Sequence, residues 1–136
     1  MKRVLYDTNV ILDVLLKREP YFSASAKALD AVGQGKVEGY IAAHAITTLA
    51  YLLQRHLGSV KSRAVLSDLL SKMRVAPVSD AAIRHALVGT FNDFEDAVTH
   101  AAAQEAPAAV IVTRNVEDFS EGTIPAVLPE AFRAEE

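Results

Sequence analysis

Residues 3–9 read RVLYDTN, and the junction inside that stretch sets the fold. Val4, Leu5 and Tyr6 form a short apolar run ending abruptly at Asp7, so Arg3 to Tyr6 reads as a buried strand. An apolar pattern resumes at helical spacing over Val10 to Leu16, with Thr8 or Asn9 expected to cap that helix. A strand running almost directly into a helix is the opening of a β–α unit.

The same alternation continues along the chain. Ser23 to Val32 reads as a second helix, with Ala24, Ala28, Leu29 and Val32 on one face. Gly39 to Ala43 is a strand after a Gly-rich turn, and Ala45 to His56 and Lys61 to Lys72 are helices. Arg74 to Val78 is a third strand, Asp80 to Val88 a helix capped by Ser79 or Asp80, and Phe94 to Gln104 an alanine-rich helix. Ala108 to Thr113 is a fourth strand, and Ala126 to Leu128 a short fifth. The segments KREP at 17–20, GQGK at 33–36, LGS at 57–59 and APVSD at 76–80 are the turns between them. Strands separated by helices predict an α/β fold with a parallel sheet of four or five strands covered on both faces. The expected organisation is a single domain over 1–130 with a C-terminal tail at 131–136.

At 136 residues and 51% hydrophobic, the chain can bury one core and is too apolar to be disordered. It contains no cysteine, which excludes a disulfide framework and thiol-based metal or nucleophile sites. No apolar run is long enough to cross a bilayer, and Asp7 interrupts the only N-terminal run that could resemble a leader. A cytoplasmic location is therefore expected. A net charge of −3 provides no global positive field for nucleic acid. A bound cation could supply the positive charge that the chain lacks.

In parallel sheets, ligands bind outside the carboxyl ends of the strands, which directs attention to three polar loci. Asp7 follows the first strand directly. It is either a metal ligand or the N-cap of the next helix, accepting from the Asn9 or Val10 amide. FNDFEDAVTH places Asp93, Glu95 and Asp96 at a helix start. Asp93 and Asp96 are three apart and share a face once helical, where like charges repel unless something neutralises them. Dipole complementation accounts for one or two of these acids, and Glu95 is expected to face solvent. VTRNVEDF follows the fourth strand, and there Asn115 and Asp118 are again three apart. Thr113 and Asn115 can orient a ligand or water, and Arg114 can contact a substrate phosphate; an ordinary capped turn is the alternative. Hard oxygen donors without a His pair favour Mg²⁺ or Mn²⁺ over zinc. His100, four residues after Asp96, could hydrogen-bond that carboxylate.

DTNVILDVLLKREP, ITTLAYLLQR, DFEDAVTHAAA and VTRNVEDF together resemble the PIN domain in order and spacing, from Met1 to about Leu128. The resemblance is to the branch related to VapC toxins that opens DTNVLLDLLL and carries a DFEDA segment. It implies a three-layer α/β/α sandwich and a Mg²⁺- or Mn²⁺-dependent endoribonuclease with an RNA substrate. It further implies the toxin of a type II toxin–antitoxin pair, commonly a homodimer and blocked by a small antitoxin. By motif, Asp7, Asp93 and Asp96 would be catalytic acids and metal ligands. Asn115 stands where many relatives have a last acid, and Asp118 would serve as a ligand instead. Thr8, Asn9, Thr113 and Arg114 would contact substrate. The departure from the pattern is on the helix at Ala45 to His56, where many relatives carry a Glu or Asp and this chain has Thr47, Thr48 and Ala50. That motivates an alternative: a degenerate PIN fold that binds RNA or protein with weak or no nuclease activity. A phosphatase-like use of Asp7 is a more remote alternative, because the position two residues on is Asn9 rather than a second Asp.

Overall fold

In a computed structural model of the chain, in which residues 1–135 are described, the β–α alternation is realised as five strands and six α-helices among the described residues. The order is β1 (Arg3–Tyr6), α1 (Thr8–Leu15), α2 (Phe22–Gly33), β2 (Glu38–Ala42), α3 (Ala43–Leu57) and α4 (Ser59–Leu70). It continues with β3 (Arg74–Ala76), α5 (Asp80–Val88), α6 (Phe94–Glu105), β4 (Val110–Val112) and β5 (Ala126–Val127). The strands form one sheet in the order β3-β2-β1-β4-β5, and every pairing is parallel.

Successive strand residues point to opposite faces, so a strand buried at every position must be covered on both sides. Central β1 meets that condition: Val4, Leu5 and Tyr6 are all buried, as are Val110, Ile111 and Val112 of β4. The core they share with Ile11, Ile41, Leu49 and Leu53 makes a helix–sheet–helix sandwich, the three-layer α/β/α class. Strand order reverses between β1 and β4, because β2 and β3 lie on one side of β1 while β4 and β5 lie on the other. Chains leaving the carboxyl ends of β1 and β4 diverge there, which opens a crevice at that edge.

Local physics sets the element ends. Helix α1 begins at Thr8 rather than Val10, because Asp7 has extended dihedrals and its side chain accepts from the Thr8 amide; the cap is Asp7, not Thr8 or Asn9. It stops where Lys17 adopts a positive φ of 51°. Helix α3 starts directly at Ala43, so β2 ends one residue short of the expected Ala43. Strand β3 ends at Ala76 instead of Val78, since Pro77 has no amide to offer the ladder. Beyond residue 130 the chain still contributes to the core: Phe132 is buried and meets Tyr6 edge-on. The tail expected at 131–136 therefore includes a packed aromatic, while Glu136 lies outside the described residues. Among the described residues, no helix is long and apolar enough to cross a membrane.

β2 passes close to α2 at Gly39, where a Cβ would lie 2.5 Å from Val32 Cγ2 and 3.0 Å from Met73 Cε. The branched Val32 side chain has no rotamer freedom with which to retreat. Gly39→Ala is expected to destabilise the fold by about 1–3 kcal/mol through overpacking, read as a lower midpoint with unchanged slope in urea unfolding.

Candidate metal centre at the sheet edge

The site begins with the register of β1 against β4. Tyr6 lies opposite Val112, and the Asp7 amide continues the ladder by donating to the Val112 carbonyl at 2.9 Å. This fixes Asp7 beside Thr113, whose hydroxyl donates to Asp7 Oδ2 at 2.8 Å while Oδ1 accepts from the Thr8 amide at 2.9 Å. The two readings of Asp7 thus coexist: it caps α1 and also presents a largely buried carboxylate to the crevice. Burial raises its carboxyl above the usual range, the bonds from Thr113 and Thr8 pull it down, and the charges of Glu95 and Asp118 push it up again.

Helix α6 brings the second group. Asp93 precedes the helix as its N-cap, accepting from the Asp96 amide at 3.0 Å, so it shares the first turn with Asp96 without being helical itself. Carboxylate oxygens of Asp93, Glu95 and Asp96 all lie within 4.8 Å of one another. Glu95 is exposed, as expected, and is also part of this group. Asp96 is pushed up to about 7 by burial first, then by the charges of Asp93, Glu95, Asp7 and Asp118. Four carboxylates therefore act on one, and Asp7, far from α6 in sequence, is among them.

The third group is the turn after β4. Thr113 is fully buried and its hydroxyl, besides donating to Asp7, accepts from the Asn115 amide at 3.1 Å. It orients Asp7 and has no surface with which to meet substrate. Asn115 precedes a short 3-10 helix at Val116–Phe119, its carbonyl accepting from the Asp118 amide. Both Asn115 and Asp118 are exposed, and Asp118 is close enough to raise Asp7 and Asp96. The half-buried Asn9 places Oδ1 3.4 Å from the Arg114 amide, and Thr8 is half-buried beside Asp7.

Arg114 is held elsewhere than expected. Its Nε donates to Asp13 Oδ2 at 2.9 Å, and its guanidinium stacks 3.8 Å from the Tyr21 ring centroid. Asp13 is completely buried and also takes Arg18 Nε at 3.0 Å and the Ser25 hydroxyl at 3.1 Å. Arg114 thus stands in a structural ion pair with Asp13. Sequence spacing overlooked Asp13 because it falls within an apolar helical run; an acid on that buried face was the signal. His100 does not reach Asp96. Its Nε2 accepts from the Thr123 and Ile124 amides at 3.1 and 3.2 Å, so it is neutral, and burial, then His85, holds it below its ordinary range. A Cβ on Gly122 would come within 2.4 Å of that nitrogen, which is why the loop passes there as glycine.

Helix α3 contributes His44 in place of a carboxylate. Its Nε2 is 3.2 Å from Thr99 Oγ1 and 3.5 Å from Glu95 Oε1. Thr47 and Thr48 are exposed farther along the helix. Among the described residues, the His44 ring nitrogen is the group set against the cluster.

Comparison with known proteins agrees with this architecture. The PIN domain family model matches residues 3–117, most of the chain. The chain belongs to the PIN domain family. Its fold is similar to that of VapBC2 from Rickettsia felis bound to a promoter DNA fragment, with a TM-score of 0.71 at 14% identity over 93% of this chain and 98% of that one. It is similar to FitAcB from Neisseria gonorrhoeae, with a TM-score of 0.69 at 22% identity over 95% and 99%. It also resembles a toxin–antitoxin complex from Klebsiella pneumoniae, with a TM-score of 0.70 at 21% identity over 93% and 97%. A sequence search among curated proteins finds no match.

Two consequences follow from the geometry of this PIN domain. The folded-state Asp96 carboxyl binds its proton more tightly than in the unfolded chain, where it titrates near 3.8. Its contribution to stability is therefore full below about 3.8 and is lost as pH rises through about 7. In metal-free buffer, unfolding midpoints should fall over that window, and Asp96→Asn should flatten the fall. Asp13→Ala should cost on the order of 3 kcal/mol, the low end for a broken buried pair because both arginines keep some access to water; chemical denaturation reads it directly.

Proposed function

We propose that this PIN domain is a Mg²⁺- or Mn²⁺-dependent endoribonuclease and the toxin of a toxin–antitoxin pair. The carrying observation is the convergence of Asp93, Glu95 and Asp96, whose carboxylate oxygens lie within 4.8 Å of one another at the edge where Asp7 and Asp118 also act on Asp96. A fold rarely retains unrelieved repulsion of this kind unless a cation relieves it in the working state. The donors present fit such an ion: clustered carboxylate oxygens, no thiolate and no His pair, a hard set suited to Mg²⁺ or Mn²⁺.

Asp7, Asp93 and Asp96 would hold the cation, with Asp118 as a further candidate ligand whose charge acts on Asp7 and Asp96. Bound there, it supplies positive charge for a phosphodiester and lowers the pKa of a water nucleophile. The chain's residues do the rest. Thr113 and the Thr8 amide fix the Asp7 carboxylate, and the Asp93 cap fixes the start of α6. Asn115, exposed beside Thr113, would orient substrate with its amide, and Thr8 and Asn9 flank the same edge. RNA is the proposed substrate, and the net charge of −3 makes the cation the main attraction for its backbone.

Antitoxin complexes among the similar structures support a small antitoxin as partner. An open groove of about 740 Å³ lined by Val14, Leu15, Leu29, Val65, Leu69 and Met73 offers that partner an apolar seat, with Lys61 and Lys72 at its rim. A cytoplasmic homodimer completes the proposal. For the dimer contact, Leu87 and Val88 at the end of α5 are exposed apolar side chains. A second reading, a PIN module that binds without cutting, draws on the absence of a carboxylate from α3 and on Asn115 in place of an acid.

The test is cleavage of cellular RNA by the purified protein in Mg²⁺ or Mn²⁺, with EDTA as control. Asp7→Asn and Asp96→Asn should each lower the rate at least about a hundredfold. Cleavage at the parental rate by both variants would refute the nuclease; RNA retention without cleavage by the parent would establish the binding module.

A further inference from the structure

We propose that Glu95 is recruited as a metal-binding carboxylate in place of the one missing from α3, and that His44 is the residue that positions it. The proposal rests on the metal centre described above and assigns roles to two residues outside its PIN motif acids.

Glu95 lies on the first turn of α6, and one of its oxygens is within 4.8 Å of oxygens from both Asp93 and Asp96. Its charge acts on Asp7 as well. Being half-exposed, its side chain would have several rotamers open to it if nothing held it. The holding contact comes from α3. That helix starts directly after β2, so its second residue, His44, is delivered to the carboxyl edge of the sheet.

Hydrogen-bond accounting fixes which way the His44 ring works. The Thr99 hydroxyl has one proton, which it donates to the Glu95 carbonyl at 3.1 Å, one turn back. Its oxygen is then free to accept, and His44 Nε2–H, 3.2 Å away, is the donor. The same nitrogen is 3.5 Å from Glu95 Oε1, so one N–H is shared between the hydroxyl and the carboxylate. Nδ1 of His44 is buried with no hydrogen-bond partner, alone in this among the side-chain atoms of the described residues. A bare Nδ1 lone pair is the less costly form of that orphan, since a buried N–H without an acceptor loses more. The ring therefore carries its proton on Nε2, directed at Thr99 and Glu95. This is the outer-shell arrangement by which a histidine orients a ligating carboxylate.

Mn²⁺ binding by calorimetry, without RNA, tests the assignment. Asp7→Asn reports on the metal centre itself, and melting temperatures of all variants report folding. Glu95→Gln and His44→Ala should each weaken Mn²⁺ binding about tenfold or more. The double variant should bind no more weakly than Glu95→Gln alone, because His44 acts through Glu95. His44→Gln, whose amide nitrogen can occupy the Nε2 position, should restore most of the affinity. Parental affinity in Glu95→Gln, with binding lost in Asp7→Asn, would overturn the proposal and leave the metal centre standing. Additive losses in the double variant, or no rescue by His44→Gln in a folded protein, would overturn the positioning role. Parental binding in every variant, Asp7→Asn included, would remove the metal-centre reading together with the proposal.

Discussion

The pairing of β1 with β4 is the constraint on which the rest depends. Its ladder runs one residue past the strand, from the Asp7 amide to the Val112 carbonyl, and so locks Asp7 opposite Thr113. A slip of one residue would send Tyr6 and Val4 to the wrong faces of a doubly covered sheet, so the register is strongly specified. The acid at the edge inherits that precision. The strand-order reversal between the same two strands opens the crevice into which Asp7 projects.

The chain treats its two groups of buried or crowded acids in opposite ways. Asp13, fully buried two turns into α1, is matched by Arg18, Arg114 and Ser25. Three segments distant in sequence are cross-linked by that one carboxylate, and its charge is satisfied internally. The acids on α6 receive no such match among the described residues, with only the His44 nitrogen set against them. A protein able to neutralise one acid with two arginines leaves Asp93, Glu95 and Asp96 within 4.8 Å of one another, with Asp7 and Asp118 near enough for their charges to act on Asp96. That difference sets the second group apart as the candidate site.

Capping and function share the same side chains. Asp7 and Asp93 each close a helix N-terminus while presenting charge to the crevice. The two roles support each other, because the amide bonds that cap a helix also restrain the carboxylate's rotamer and favour its ionised form. Thr113 extends this economy, satisfying Asp7 and receiving Asn115 with a single hydroxyl.

The sequence by itself determined the β–α alternation, the parallel sheet and the three polar loci at its carboxyl edge. These are local properties: apolar period, turn residues, and acids placed at strand ends and helix starts. Tertiary structure alone decided which polar groups meet. Arg114 looked available beside Asn115 until Asp13, a hundred residues earlier, was found to hold it. His100 has the spacing to reach Asp96 on a helix, yet two amides of a distant loop claim its nitrogen. Glu95 is exposed, as its place between the two Asp residues suggests, but its contact with His44 exists only because packing brings α3 against α6. Spacing along a chain fixes which face a side chain occupies, but its partner is fixed by packing between elements, and no local pattern encodes that.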